Sequence, residues 1–482
     1  MAGNFMVSAA GHAVSLLIGV VTLGVLMRYL APAGYGQFTQ ATVFLNLVMQ
    51  IAAFGLPLAQ LHLMARGDLD ETRVVNGILG LRLLIGIASM VLGPVLFTAI
   101  YEDPATRQLV WIGCVAFFFS YLGNSLRAVF QRHLVMMRSA AAGVLNRGVF
   151  LLLVLVCVVA ELPTWCVMVA LVATQFLTLL LMLRLVRSLV RARPRYDATV
   201  WKEAVRTSWP VALLTLLGSL CMQGDILVLG KYRPEYEVGL YAVSFRVLLQ
   251  LVGAVPAQFM PLLLPQLTQA WHRGDRGAFA EHLHGAFDFI TMMLVPLAVA
   301  IGARADEIVA ILDPEYAAAA GILRIHILAV VAMFFGVLYR QLGVTVERQR
   351  HLIVPTIVVT SLTMAGFLWL IPIYGVNGAA WVKVFHATAG AIVTWVVVFP
   401  AVRHVPRLMI MAKALLAGGA MWGVLHFLPS LPFCLELLVG LGAYVGALFA
   451  TRALTPRGVR ETIAALRARG PAPASAEPGT EL

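Results

Sequence analysis

Apolar residues in this chain fall into runs of about 20, the length needed to cross a hydrocarbon core at 1.5 Å per residue. The runs lie near residues 5–27, 38–61, 74–100, 108–126, 139–160 and 163–186, then 208–230, 239–264, 283–303, 317–339, 352–373 and 378–400, and finally 408–428 and 431–451. Short polar breaks separate them. The pattern predicts an all-α polytopic membrane protein of about fourteen spans. Six precede the longest polar break and six follow it, with a closing pair after those.

That break, Arg187 to Arg206 (RSLVRARPRYDATVWKEAVR), is also the most basic stretch, and Trp201 and Trp209 flank its end as interfacial anchors do. It reads either as an ordinary basic linker or as a surface helix that draws anionic headgroups. The expected organisation is an N-terminal lobe over 1–190, a basic linker over 191–207, a C-terminal lobe over 208–402, a final helix pair over 403–452, and a cytoplasmic segment over 453–482. In that last segment Val459, Ile463 and Leu466 share a helical face against Arg460, Glu461 and Arg467, and a Pro/Ala-rich tail follows, expected to be disordered. The halves echo each other. Pro32-Ala33-Gly34-Tyr35-Gly36-Gln37-Phe38 follows the first span and Pro234-Glu235-Tyr236-Glu237-Val238-Gly239-Leu240-Tyr241 follows the seventh, with Pro57 and Pro261 at matching distances beyond the glycines. Both turns fall on the same side, so the repeat is a parallel one.

Composition agrees with a membrane protein: 61% of residues are hydrophobic and 12% charged, against roughly 25% charged in soluble domains. Of the 35 basic residues, about 25 fall in segments that are cytoplasmic if the N-terminus is inside, and about five in the opposite loops, as the positive-inside rule requires. Both termini are placed in the cytoplasm. The net charge of +12 therefore belongs to loops, and nucleic acid is not the expected partner. Cys114, Cys157, Cys166, Cys221 and Cys434 are odd in number, without CxxC or Cys/His spacing, and read as small core residues with no metal or disulfide role. No Lys or Arg precedes Arg28 and no cleavage-type site follows the first run, so the first span is expected to stay in the mature protein.

Several stretches carry a family resemblance. They are Arg28-Tyr29-Leu30-Ala31-Pro32-Ala33-Gly34-Tyr35-Gly36, Asp225, Val238-Gly239-Leu240-Tyr241-Ala242, Asp313-Pro314-Glu315-Tyr316 and Tyr374-Gly375-Val376-Asn377-Gly378-Ala379-Ala380. In this order and spacing they resemble the polysaccharide flippases of the multidrug/oligosaccharidyl-lipid/polysaccharide exporter superfamily, above all the Wzx-type flippases for O-antigen and exopolysaccharide repeat units. The resemblance implies two six-helix lobes around a central cavity, a final helix pair, and alternating access. It also implies a substrate of undecaprenyl-pyrophosphate-linked oligosaccharide, a place in the bacterial inner membrane among its lipids, and a polysaccharide polymerase and chain-length regulator as partners.

The residues suit an anionic substrate. Arg82, Arg147, Arg246, Arg324 and Lys383 sit inside expected spans, where a cation at a helix centre costs roughly 2.5–3.5 kcal/mol. Arginine's planar fork binds phosphate oxygens in a bidentate way, so these five are the candidate substrate-binding residues. At 1.5 Å per residue, Arg82 and Arg147 lie about 12 Å in from the inner ends of their spans, and Arg246 and Arg324 about 10 Å in from the outer ends. A diphosphate would then pass from the first pair to the second as the lobes rock. Two readings stay open for some of them: Lys383 either binds or snorkels, and Arg246 or Arg324 either binds or pairs with Asp225. Asp288 could partner an inner cation, and Asp225 and Asp288 could serve ion coupling or salt bridges.

Polar residues inside spans, His12, Asn46, Gln50, Asn124, Asn146, Gln175, Gln250, Gln258 and His386, could meet sugar hydroxyls or satisfy one another. Asn46, Gln50, Asn146 and His386 are taken as the sugar contacts. The Gly442-Ala443-Tyr444-Val445-Gly446 stretch reads as a close helix contact or a dimer seam. No phosphate-cradling loop with Lys-Ser/Thr, no paired carboxylates and no nucleophile-base spacing is present. The chain is therefore not expected to be an enzyme or to need a cofactor. A lipid II flippase would share the cationic cavity, whereas a multidrug cation antiporter would need acidic residues that the first six spans lack.

Overall fold

The structure, a computed structural model, describes residues 2–133, 135–252, 254–403, 407–427 and 432–454. The side chains of His12, Gln258 and Cys434, and everything after Leu454 including the expected amphipathic helix and tail, lie outside the described residues. Among those described there is no strand. The helices are α1 (Ala2–Ala53), α2 (Leu56–Arg66), α3 (Glu71–Ile100), α4 (Pro104–Arg132), α5 (Met136–Val159), α6 (Cys166–Val186), α7 (Ala198–Tyr232), α8 (Glu235–Val252), α9 (Ala254–His272), α10 (Arg276–Ala303), α11 (Ala305–Leu312), α12 (Ala319–Thr345), α13 (Ile353–Val402), α14 (Leu408–Phe427) and α15 (Phe433–Ala450). Every expected span falls on one or two of them, so the all-α polytopic reading holds.

The two longest helices are each two spans joined at a bend. α1 turns at Ala31, whose φ of 53° is a left-handed value, directly before Pro32; α13 turns at Gly375, with φ 59°. The second span is interrupted as well. Between α1 and α2, Phe54 and Gly55 take φ of 43° and 70°. Gly55 cannot be replaced lightly, because a Cβ there would stand 2.8 Å from the Ser208 carbonyl oxygen. Elsewhere the starts are conventional: Asp70 and Asp103 accept from the backbone N–H of Arg73 and Thr106 at 3.1 and 2.7 Å, with Pro104 opening α4.

The basic linker is a strap. It runs without helix until Ala198, so no separate surface helix forms. Its backbone is tied to α3, with Arg193 N–H donating to Asn76 Oδ1 at 2.6 Å and Arg195 N–H to the Asn76 carbonyl at 3.0 Å. Trp201 Nε1 donates to the Gly77 carbonyl at 2.8 Å. Arg73 meets Asp197 at 2.6 Å, and this hydrogen bond holds the Asp197 carboxyl below the usual range.

The chain forms two compact units. The smaller is built on Leu283–Ala303 of α10 with α14 and α15. There Met421, Leu425, Tyr444 and Leu448 form an apolar cluster with Met292 and Val295, and Tyr444 OH donates to the Met292 carbonyl at 3.1 Å. Gly440 is the glycine that α15 presses on Leu425 and Met421, while Gly442 and Gly446 face nothing within 4 Å. The glycines of the GxxxG pair thus make no close helix contact; Gly440, two residues before it, and Tyr444, between the two glycines, make it instead.

The larger unit contains the echo seen in the sequence. Gly36 and Gly239, the matching glycines of the two halves, meet each other: a Cβ on Gly36 would stand 1.9 Å from the Glu235 carbonyl oxygen, and one on Gly239 would stand 1.9 Å from that of Pro32. Around them Lys231 Nζ donates to the Ile100 carbonyl at 2.5 Å, Tyr101 OH to that of Leu227 at 2.9 Å, and Arg28 to that of Ile311 at 3.2 Å. This end of the unit is closed by backbone contact. We therefore expect Gly36→Ala or Gly239→Ala to force the two turns apart and to lower the melting temperature of the purified protein. Gly24→Ala, where a Cβ meets nothing within 4 Å, should leave it unchanged; thermal unfolding of the three variants checks this.

Candidate substrate-binding site

At the other end of the larger unit two cavities flank the junction between its halves. The first, about 310 Å³, is lined by Asn46, Gln50, Arg82, Tyr121, Asn124 and Arg127 among others, from α1 to α4. Arg82 is completely buried. Its Nη1 donates to the Tyr121 carbonyl at 2.6 Å, and its guanidinium carbon lies 4.8 Å from the centre of the Tyr121 ring. Tyr121 is in turn fixed by its hydroxyl, which donates to the Ala52 carbonyl at 3.1 Å. The Nε and Nη2 atoms of Arg82 have no hydrogen-bond partner. Those two nitrogens form one edge of the guanidinium, the parallel fork that grips two oxygens of a phosphate. Among the described residues no carboxylate lines the cavity.

The second cavity, about 660 Å³, lies among α7, α12 and α13. Its wall is largely apolar, with hydroxyls from Thr215, Ser219, Thr356, Thr360 and Thr394, the Gln223 amide, His386, and the Arg340 guanidinium. Asn46 and Gln50 of the first cavity reach Gln223 and Ser219 of the second. Asn46 Nδ2 donates to Gln223 Oε1 at 3.1 Å, Gln50 Nε2 to Asn46 Oδ1 at 3.4 Å, and Ser219 Oγ donates to Gln50 Oε1. A bridge of side-chain amides therefore divides the two spaces.

Lys383 takes a different course from Arg82. It is 3% exposed and does not snorkel; its ammonium pairs with Asp225 Oδ2 and donates to the Met222 carbonyl at 3.1 Å. Tyr241 OH donates to the same carboxylate oxygen at 2.5 Å, and the Ile226 N–H serves Oδ1 at 3.0 Å. The Phe245 ring lies 4.1 Å from the ammonium. His326, fully buried, contacts the rings of Tyr241 and Phe245 and shares a 2.8 Å hydrogen bond between Nδ1 and Ser244 Oγ, while its Nε2 has no partner. The Asp225 pair thus forms with Lys383, not with Arg246 or Arg324.

The remaining candidates are dispersed. Arg324, near the start of α12, pairs with Asp306 of α11 at the exposed surface, since both lie at the same end of their helices. Arg246 is exposed on α8. Arg147 is exposed on α5, and its Nη1 lies 3.9 Å from where a Gly19 Cβ would stand, beside the Gln250 amide. Asp288 pairs with Arg407 at 3.1 Å in the smaller unit, not with an inner cation of α3 or α5. Asn46 and Gln50 line the first cavity and His386 the second, where its Nδ1 lies 3.0 Å from Thr363 Oγ1. Asn146 instead ties α5 to α6, donating to Thr178 Oγ1 at 2.7 Å.

Arg127 and Arg340 were not expected at a site. Both stand near helix ends and count as ordinary inner-loop charges, but α4 and α12 run on to Arg132 and Thr345 and carry them along the cavity walls. The spacing Ser120, Asn124, Arg127, Gln131 on one face of α4 is the signal that reveals the first of them.

A family model described as polysaccharide biosynthesis protein matches residues 25–315, more than half of the chain. The chain belongs to that family. Among solved structures it is similar to the lipid II flippase MurJ in an inward closed conformation, with a TM-score of 0.74 and 14% identity over 93% of this chain and 99% of that one. A multidrug resistance MATE family transporter of the MOP superfamily, inward-facing, gives a TM-score of 0.66 and 14% identity, with coverage of 82% and 98%. A MOP superfamily transporter from Pyrococcus furiosus, whose binding pocket is described as having reverse polarity, gives 0.55 and 15% identity over 82% and 93%. At these identities the likeness is one of fold. No curated protein sequence matches the chain.

For this polysaccharide biosynthesis family member, the buried pair allows a direct test of its role. Lys383→Met or Asp225→Asn alone leaves an uncompensated group and should cost roughly 3–5 kcal/mol, whereas the double variant should recover most of the loss in a thermal-unfolding series. If the double variant is stable and transports normally, the pair is structural. If it is stable but its transport no longer responds to an imposed ion gradient, the pair couples ions.

Proposed function

We propose that this protein flips undecaprenyl-diphosphate-linked oligosaccharide repeat units across the bacterial inner membrane during polysaccharide biosynthesis, by alternating access. The observation that carries the proposal is the open Nε–Nη2 edge of Arg82, fully buried and lining a cavity that contains no carboxylate. A buried guanidinium without a counter-charge is costly. A diphosphate arriving in the cavity would supply that charge together with two oxygens in the geometry the fork accepts. Arg127 on the same wall adds a second cation.

The bias of basic residues toward one set of loops supports an orientation with the cavity end toward the cytoplasm and both termini inside. The state described here, closed at the Gly36–Gly239 contact with its cavities at the other end, then suits uptake of substrate from the inner leaflet. Cations on the cavity wall and the absence of carboxylates there oppose the cation-antiport reading, in which a positive drug would be repelled. A lipid II flippase would present the same diphosphate chemistry, and the match to the polysaccharide biosynthesis family is what favours repeat units over lipid II. Handoff from Arg82 toward the second half would involve the amide bridge rather than Arg324, which is held by Asp306.

The test is complementation of a deletion strain, reading the accumulation of lipid-linked repeat units on the cytoplasmic face. Charge-assisted hydrogen bonds are worth about 1.5–3 kcal/mol each, so Arg82→Lys, which keeps the charge and loses the fork, should slow flipping about tenfold or more. Arg82→Glu should abolish it. Purified Arg82→Met should unfold no more readily than the native chain, because it removes a buried charge that the protein does not neutralise. Normal flipping by Arg82→Glu would sink the proposal.

A further inference from the structure

The two cavities together present one cation more than a diphosphate has charges, and from this we infer that the translocated glycan is acidic, with a carboxylate-bearing sugar seated against Arg340. The inference rests on the proposed flippase function and adds the class of sugar. A polyprenyl diphosphate esterified to a sugar carries one ionisable oxygen on each phosphorus, hence two negative charges. Arg82 and Arg127 on the wall of the first cavity match those two. Arg340 stands exposed on the wall of the other cavity, beyond the Asn46–Gln50–Gln223–Ser219 bridge, and among the described residues no carboxylate lines that wall or pairs with it. Lys383, which borders the adjoining space, is already neutralised by Asp225.

The rest of the wall fits a sugar. At about 660 Å³ the cavity lies within the range of about 300–1,000 Å³ usual for small-molecule sites. Its Thr215, Ser219, Thr356 and Thr360 hydroxyls, with the Gln223 amide, provide donors and acceptors for ring hydroxyls along an otherwise apolar surface. A neutral glycan that displaced water from the cavity would leave the Arg340 guanidinium without a counter-charge; a uronate would pair with its fork. The amide bridge then separates the two charged subsites, and a chain of sugar hydroxyls can replace its hydrogen bonds as the substrate spans both.

The experiment uses the purified full chain in phosphatidylcholine nanodiscs and three probes: farnesyl diphosphate, a farnesyl-diphospho-disaccharide ending in glucose, and the same compound ending in glucuronate. The native protein is expected to bind the glucuronate probe about 10- to 100-fold more tightly than the glucose probe. Arg340→Gln should erase that preference, and Arg340→Lys should restore part of it. Equal binding of the two glycans by the native protein, or an Arg340→Gln variant that weakens both alike, overturns the inference and leaves the flippase reading standing. Failure of farnesyl diphosphate itself to bind overturns both. Adding phosphatidylglycerol to the nanodiscs separates a lipid phosphate from a sugar acid: if it abolishes the preference, Arg340 is a headgroup site and the inference falls.

Discussion

Arg82 and Lys383 are both buried cations in an apolar helical bundle, where an unmatched charge costs several kcal/mol, and the fold deals with them in opposite ways. Lys383 is closed off: a carboxylate, a tyrosine hydroxyl and a phenylalanine ring surround the pair with Asp225, so its charge is balanced within the protein. Arg82 is left open along one edge while its other corner is held by Tyr121. The bundle thus maintains one internal charge that only a ligand can complete. A site of this kind favours an anion that enters from water, because in an apolar interior each new hydrogen bond is worth more than it would be in solvent.

The arrangement of the helices follows from where backbone approaches backbone. Gly36 and Gly239 let the second and eighth spans touch without side chains between them. At the opposite end the halves are joined by amides and a hydroxyl, groups that can exchange their hydrogen bonds with water or with sugar hydroxyls at little net cost. A contact without side chains has few intermediate states, and a contact made of exchangeable polar groups has many. The first suits a closed gate, the second a junction that a hydrated substrate can part.

Much of this was legible in the sequence, and the parts that were not have identifiable causes. Hydropathy gave the spans because a bilayer demands length and apolarity of each, and the Gly-x-aromatic echo pointed to the two glycines that meet. Arg82 stood out because it interrupts an apolar run. Partners were harder to read. Asp225 could have paired with any cation at its depth, and the choice of Lys383 depends on how α7 packs against α13, which one-dimensional spacing does not contain. Arg324 and Asp306 come together across a turn between helices, and Asp288 finds Arg407 far along the chain. Arg127 and Arg340 were hidden by a rule that is right on average: basic residues near inner helix ends do obey the positive-inside bias, yet the same charges can line a cavity when the helix runs past the membrane boundary.

The placement of the cations also bears on how work is done. In the proposed cycle a diphosphate at Arg82 and Arg127 would neutralise the first half of the unit, and an acidic sugar at Arg340 the second, so only the fully seated substrate would remove the excess positive charge from both walls. Like-charged walls repel more strongly as water leaves the space between them. Closure around the substrate would then be favoured when both subsites are filled, and disfavoured when the cavities are empty or hold the lipid diphosphate alone. A carrier built this way would be protected from idle cycling with bare polyprenyl diphosphate by electrostatics, without a dedicated lock. Its selectivity would lie in the transition between states as much as in the binding step, since the coupling free energy available equals the difference in affinity of substrate for the open and closed forms.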